Sequence, residues 1–181
     1  MEVKINRAGP KVPMPVYATG GAGCFDLHAY LPDLIKVYVG ETGYTFRTGL
    51  KFEVPAGHVM LIFSRSGHGF KNQVRLSNCV GVIDSDYRGE VQVQLIADND
   101  DPKQDLTELK NVLEVKNGDR IAQAMIIPIP SVRFVEADLS ETERGEGGFG
   151  STGSGNVVQG GTVHLKMSGH RATPSFVEPG Y

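Results

Sequence analysis

An all-β sandwich or jelly roll is the fold this sequence predicts, and three observations predict it. Its apolar runs are short, rich in Val, Ile, Phe and Tyr, and separated by Gly, Pro, Asn and Asp. In EVQVQLI at 90–96, Val91, Val93 and Leu95 alternate with Glu90, Gln92 and Gln94, the period of a strand with one buried face. No window offers a long amphipathic helix; LTELKNVLEV at 106–115 comes nearest, and its β-branched residues leave it ambiguous.

The strands are expected in order at VKI near the start, IKVYV (35–39), YTFRTGLKFEV (44–54), VMLIF (59–63), EVQVQLI (90–96), IAQAMIIPI (121–129) and VRFVEA (132–137). Gly81, Val82 and Ile83 read as the end of a buried strand and Tyr87-Arg88-Gly89 as a turn. The segment DNDDPKQD at 98–105 has four aspartates and a proline, so it is expected to leave the sheet as a solvated loop. It lacks the spacing and terminal Glu of a calcium loop. Beyond Gly153 the chain is polar and glycine-rich, with TVHLKM as one candidate edge strand in an otherwise flexible tail. The organisation expected is a β-domain over 1–140 with an acidic insertion at about 98–116, a glycine-rich arm at 141–153, and an extra tail at 154–181.

A chain of 181 residues with 40% hydrophobic content suffices for one well-cored domain. Its net charge of -3, from 18 basic and 21 acidic residues without a basic block, argues against extended nucleic-acid binding and leaves a small phosphorylated ligand open. Cys24 and Cys79 are too few for a disulfide framework and suit a reducing compartment as buried small hydrophobes. The N-terminus lacks the apolar core of a signal peptide, and no apolar run reaches the roughly 20 residues of a membrane span. A soluble protein of the cytoplasm, or of a host's cytoplasm if viral, is the expectation, with no membrane partner.

Glycine stands out at 23 of 181 residues, about 13% against roughly 7% in average usage. Its clusters lie beside polar residues, as suits backbone that turns tightly or approaches a ligand. Five islands stand out: GGAGCFDLHAY (20–30), placing Asp26 in a strand; SRSGHGFK (64–71), a charged and hydroxylated turn; GVIDSDYRGEV (81–91), with Asn78 just upstream; GDRIAQ (118–123), with Gln123 early in a strand; and RGEGGFGSTG (144–153). Asp84 lies at a strand end, where a loop carries chemistry on a rigid base; the alternative is an ordinary polar β-turn. Arg65, Ser66 and Gly67 offer a guanidinium, a hydroxyl and backbone amides, the groups that hold phosphate oxygens, although an isolated Arg-Ser-Gly is as readily a plain turn. A P-loop is excluded, since no glycine-rich segment ends in Gly-Lys-Ser/Thr.

In this order, over roughly residues 3–153, the islands resemble the five motifs of the trimeric dUTPases. The resemblance implies a distorted jelly roll forming a homotrimer, each site built from more than one subunit, with a mobile C-terminal arm. It implies hydrolysis of dUTP to dUMP and pyrophosphate, which limits uracil incorporation into DNA and supplies dUMP for dTTP synthesis. Asp84 would activate the water that attacks the α-phosphorus, with Asp26 in support; Asp86, two residues on, is read as supporting the turn or hydrogen-bonding a neighbour. Arg65, Ser66, Gly67 and Gln123 would hold phosphates; Arg144, Ser151 and Thr152, beside Gly150, would clamp the γ-phosphate; Asp119 and Arg120 would form supporting ion pairs. Uracil would be read by main-chain groups of residues 79–84, among them Gly81, Val82 and Ile83, with the Asn78 side chain. Tyr87 would pack on deoxyribose and Phe149 would stack over the base. Mg²⁺ would be held through triphosphate oxygens and water rather than by protein ligands.

The second island departs from the usual family form, with Ser64 where proline is common, His68 where leucine is common and Gly69 where alanine is common. His68 there reads as a surface histidine in a turn, as a change in packing, or as a source of pH dependence at the site. Two other functions are weighed. A dCTP deaminase shares the fold, but its deamination acid has no motif here; a nucleotide-gated interaction module is suggested by the long insertion and tail.

Overall fold

The computed structural model describes residues 1–34, 36–98, 113–148, 164–166 and 173–175. The chain divides into two compact units, Met1–Arg133 and Phe134–Tyr181. The first contains strands β1 (Lys4–Arg7), β2 (Phe25–His28), β3 (Lys36–Val39), β4 (Tyr44–Arg47), β5 (Leu50–Glu53) and β6 (His58–Phe63), helix α1 (Ser66–Asn72), then β7 (Val74–Leu76), β8 (Val80–Ile83), β9 (Gln92–Ala97), β10 (Leu113–Lys116) and β11 (Arg120–Pro128). In the second, β12 (His164–Lys166) and β13 (Thr173–Ser175) form an antiparallel pair.

Among the described residues all pairings are antiparallel. A four-stranded sheet runs β2-β11-β6-β8 and a three-stranded one β4-β9-β7, with the ribbons β1-β5 and β10-β3 beside them, a jelly-roll-like all-β architecture. The period-two reading of 90–96 holds, and β5 alternates in the same way. In β5, Leu50 and Phe52 are buried and Lys51 and Glu53 exposed; in β9, Val93 and Leu95 are buried and Gln92 and Gln94 exposed. These side chains join Leu27, Phe46, Met60, Leu76 and Ile121 in one hydrophobic cluster. Each large aliphatic or aromatic side chain fully withdrawn from water contributes about 1.5–3 kcal/mol, so the cluster dominates what holds the sheets together.

The run at 44–54 is two strands, broken at Thr48-Gly49. Gly49 has φ +69°, and a Cβ there would meet Val12 Cγ2 at 2.7 Å. Thr48, only 1% exposed, is the buried polar residue of the core among the described residues. Its hydroxyl donates to Val91 O at 2.7 Å and accepts from Leu50 N at 3.2 Å, while Val91 N donates to Leu50 O at 2.9 Å. One side chain thus satisfies two buried backbone groups at the point where β4, β5 and the entry to β9 meet.

Several expectations are corrected. The segment at 64–71 contains helix α1 rather than a turn alone. Two glycines in seven residues argue against a helix on propensity, and α1 buries no residue. Its ends hold it: Gln73 closes it in the left-handed region at φ 52° with its amide on Gly69 O, and Gln73 O accepts from Asp98 N at 2.8 Å. VRFVEA forms no strand; Phe134 is 93% exposed, and Pro128 and Pro130 end the ladder by removing donors. Residues 113–116, placed in the insertion, form β10 on β3. β8 is not a buried strand but the edge of its sheet, with Val80 and Val82 exposed. Cys79 is exposed and Cys24 half-buried, because Cys79 occupies a tight turn at φ 62°.

Replacing Thr48 by Val keeps the shape and orphans Val91 O and Leu50 N, at an expected cost of about 1–3 kcal/mol. The thermal midpoint should fall by roughly 2–4 °C for each kcal/mol, with Thr48→Ser much nearer the parent. Equal midpoints for Thr48→Val and the parent at fixed protein concentration would refute the role given to this hydroxyl.

Candidate functional site

Two groups of predicted residues assemble at different places on the four-stranded sheet. The first forms where β2, β11 and the end of β6 meet. Asp26 lies opposite Gln123, and Gln123 opposite Phe63, so the carboxylate and the amide occupy adjacent strands directly below the start of α1. Asp26 stands between two guanidiniums: Arg65 Nε lies 3.3 Å from Oδ1 and Arg120 Nη1 3.4 Å from Oδ2. Arg65 Nη1 also donates to Arg120 O at 3.3 Å. Gln123 Nε2 donates to Ser64 O at 3.0 Å, and Ser64 Oγ accepts from Leu76 N at 2.9 Å. Ser64 thereby ties the loop before α1 to both β11 and β7. Ser66 and Gly67 are exposed in the first helical turn, where backbone amides have no acceptor within the helix.

The second group surrounds the hairpin from β7 through β8 to β9. Ser77 N bonds Gln94 O, Cys79 N bonds Leu76 O, and Val80 N bonds Asn78 O at 2.6 Å, a tight reversal that launches β8. A pocket of about 180 Å³ opens here, lined on one side by Ser77, Asn78 and Gly81 and on the other by Gln92 and Gln94, with Ile62 and Leu76 below. Gly81 is what leaves it open: a Cβ there would stand 3.1 Å from Ile62 Cβ. Val82 and Ile83 continue β8 to Asp84, which is exposed. Asp84 O accepts from Tyr87 N at 3.2 Å, closing a turn that includes Asp86. The Tyr87 ring lies over Gly89, where any Cβ would collide with it, and its hydroxyl donates to Glu90 O at 3.2 Å.

The register sets the distance between the groups. From Asp26 to Gln123, to Phe63, to Val80 is three strand steps, about 14 Å at the usual spacing, and Asp84 lies four residues further along, about 13 Å. Asp26 and Asp84 of one chain are therefore roughly 20 Å apart. Arg65, beyond Phe63, continues away from Asp84, since Ile83 pairs with Met60 at the opposite end of β6.

Arg144 belongs to the second unit, where its Nε donates to Gly147 O at 2.8 Å in an exposed turn. Phe149, Gly150, Ser151 and Thr152 lie outside the described residues. Sequence reasoning missed Ser77, Gln92 and Gln94 as pocket residues; the signal was the polar face of the β9 alternation. Of the two supporting ion pairs expected, Arg120 makes one, while Asp119 Oδ2 accepts from Lys116 N at 2.8 Å within its turn. Among the described residues Asp119 therefore shapes the entry to β11 and makes no ion pair with the site arginines.

Two imidazoles flank the first group. His28 has its pKa lowered by burial, against the raising influence of Asp26, with Arg120 and Arg65 lowering it further. His68 is also pushed down, by burial and then by Arg65, with Asp119 opposing and Arg120 adding to the depression.

Comparison with known proteins points one way. The dUTPase family model matches residues 10–153. A deoxyuridine 5'-triphosphate nucleotidohydrolase of Nautilia profundicola is 41% identical over 154 residues, covering 84% of this chain and 99% of that protein. The dUTPase of Staphylococcus bacteriophage 80alpha, solved with dUPNHPP, superposes with a TM-score of 0.71 at 25% identity, over 84% of this chain and 99% of that one. A mutant dUTPase of phage phi11 of S. aureus, whose structure reveals coordination of a structural Mg(II) ion, shares the fold at TM-score 0.63 and 18% identity, over 77% and 98% of the two chains.

Because the folded pKa values of His28 and His68 lie below the ordinary 6.5, the unfolded chain binds protons first as pH falls. Their contribution is complete above about pH 6.5 and declines as pH drops through that value, until the folded imidazoles also charge. The thermal midpoint should be lower at pH 5.5 than at pH 7.5, and the difference should shrink in a His28→Gln/His68→Gln double variant. An unchanged pH slope in that variant would contradict the assignment.

Proposed function

The chain belongs to the dUTPase family, and from that premise we propose that it hydrolyses dUTP to dUMP and pyrophosphate, with Asp84 as the general base. The observation that carries the reading is the hairpin pocket, lined by Asn78 in the turn and by Gly81 in β8, the strand that ends next to the exposed Asp84. A base seated in that pocket brings its 5' substituent toward the carboxylate. Asp84 then takes a proton from a water whose oxygen bonds to the α-phosphorus, and the bond from that phosphorus to the oxygen bridging to the β-phosphate breaks, releasing pyrophosphate.

The remaining residues position and neutralise. Arg65, with the Ser66 hydroxyl and the amides near Gly67, holds α- and β-phosphate oxygens, and Asp26 fixes the guanidinium by the ion pair at 3.3 Å. Gln123 adds an amide donor, and Arg144, Gly150, Ser151 and Thr152 take the γ-phosphate while Phe149 covers the base. Asn78 and the main chain of residues 79–84, Gly81, Val82 and Ile83 included, read the uracil edge; cytosine would leave buried groups unpaired. Tyr87, held by Gly89 and Glu90 O, packs on the sugar and leaves no room for a 2'-hydroxyl.

Mg²⁺ would be the metal that accompanies the triphosphate. Among the described residues no three His, Cys, Asp or Glu side chains converge to hold a cation; phosphate oxygens and water would hold this small hard ion, which would offset negative charge there. The separation of roughly 20 Å between Asp84 and Asp26 supports a site shared between subunits of a homotrimer, since no side chain spans it. The proposed plan keeps the β-domain at 1–140, the site arm at 141–153 and the tail beyond. Among the described residues no helix is long and apolar enough to cross a membrane.

The test is pyrophosphate release from dUTP, dCTP, dTTP and UTP. Selective cleavage of dUTP is expected, falling by roughly 10²–10⁴ in Asp84→Asn; turnover of dCTP to a deaminated product would replace this reading with the deaminase. Refolding Asp84→Asn and Arg65→Ala chains together in equal amounts should restore about a quarter of parental activity, because one intact site needs a base from one chain and an arginine from another. Failure of the mixture to recover any activity would place both groups in one chain's site. Tyr87→Ala is expected to narrow the preference for dUTP over UTP by roughly 10- to 100-fold, and an unchanged ratio would remove the tyrosine from sugar selection.

A further inference from the structure

We propose that His68 is a positioning residue whose neutral imidazole holds the Arg65 guanidinium in its phosphate-binding pose, and that protonation of this imidazole releases the guanidinium. The inference rests on the dUTP-hydrolysing reading and adds to it a residue and a pH dependence. His68 Nε2 lies 3.4 Å from Arg65 Nη1. Arginine has donors and no acceptor, so the pair forms only with Nε2 as the acceptor and the ring proton on Nδ1. Nδ1 is buried and has no hydrogen-bond partner among the described residues. The proton that makes the imidazolium is therefore added at Nε2, directly facing the Arg65 guanidinium.

The surroundings agree. A cavity of about 220 Å³ beside the ring is lined by Arg65 and His68 from the α1 side, Glu114 from β10, and Asp119 and Arg120 from the turn and start of β11. Asp26, from β2, is bound to both arginines and is not free to serve the imidazole. Asp119 is engaged by the Lys116 amide, and Glu114 by Lys36 and Lys116. Lys71, on the same helix, is exposed. The ring therefore faces two guanidiniums and two committed carboxylates, and burial with Arg65 lowers its pKa. A protonated Nε2 would set donor against donor 3.4 Å from Arg65, and among the described residues Arg65 would keep Asp26 and the Arg120 carbonyl as anchors.

The experiment compares the full chain with His68→Gln and His68→Leu, measuring kcat and KM for dUTP and Kd for dUPNHPP between pH 5.5 and 8. Glutamine offers Oε1 as an acceptor that does not titrate, and leucine offers none. Protonation of the nucleotide's own phosphates is common to all three proteins, so the differences between profiles isolate His68. The parent should bind as tightly as His68→Gln at pH 7.5 and lose roughly three- to tenfold relative to it by pH 5.5. His68→Leu should be weakened by a similar factor at every pH, with kcat following one profile throughout. A structural role alone would shift midpoints without this separation of profiles. Superimposable profiles for all three proteins, or a parent that binds relatively more tightly at pH 5.5 because the imidazolium donates to phosphate, would overturn the proposal while leaving dUTP hydrolysis intact. No turnover by the parent at pH 7.5 would overturn the functional reading and this inference with it.

Discussion

The hydrogen-bonded register of the sheet β2-β11-β6-β8 is the constraint on which the rest of the molecule depends. It sets Asp26, Gln123, Phe63 and Val80 in one row across four strands. Every side chain that handles charge at the first group hangs from the near end of that row, and the hairpin carrying Asp84 runs from the far side in the opposite sense. A slip of one residue in the β6-β11 pairing would turn Gln123 to the other face and bury a polar amide where Ala122 and Ala124 now pack. The hydrophobic cluster thus enforces the chemistry: the register that buries Ile62, Met60 and Ala124 also presents Gln123 beside Ser64.

Charge is distributed unevenly within that frame. The chain carries a net -3, yet at the first group one carboxylate, Asp26, is shared by Arg65 and Arg120. The arrangement leaves about one surplus positive charge in a half-buried setting, where its field is screened less than at an open surface. An isolated pair of guanidiniums would repel and splay. Asp26 offsets that repulsion and fixes the directions in which the remaining N–H donors point, which is the preorganisation an anion site requires.

Much of this was legible in the sequence, for identifiable reasons. Alternation in EVQVQLI marked β9 and its buried face because that strand has one wet side. The islands marked the loops because glycine, aspartate and arginine at strand ends have few purely structural uses together. What escaped was set by tertiary context. Helix α1 has poor propensity and no buried face, and the contacts at Arg65 and Gln73 that hold it lie far away in sequence. VRFVEA has a strand's pattern but follows prolines that end the ladder, and a strand exists only with a partner. Cys79 looked like a core residue because free cysteine is usually buried, whereas its neighbours Asn78 and Val80 close a turn that forces it outward. The roughly 20 Å between the two groups was not visible locally at all, because it follows from pairings that join residues 26, 123, 63 and 80.

The position of β8 connects architecture to the proposed recognition. Among the described residues β8 pairs only with β6, leaving its outer edge without a strand neighbour, with Val80 40% and Val82 58% exposed. Such an edge is ordinarily a liability, since its free N–H and C=O groups invite pairing with another chain. Here the free edge is what the function proposed requires. A nucleobase edge can be read by main-chain groups only where those groups are not already committed to a ladder, and a strand inside a sheet has none to spare. The shortness of β8, four residues between the turn at Cys79 and the turn after Asp84, limits the liability, and the occupied side on β6 gives the edge the rigidity that selection by hydrogen-bond geometry demands. Moving β8 to the interior of the sheet would strengthen the fold and remove the recognition surface, so the weaker arrangement is the one consistent with binding a base.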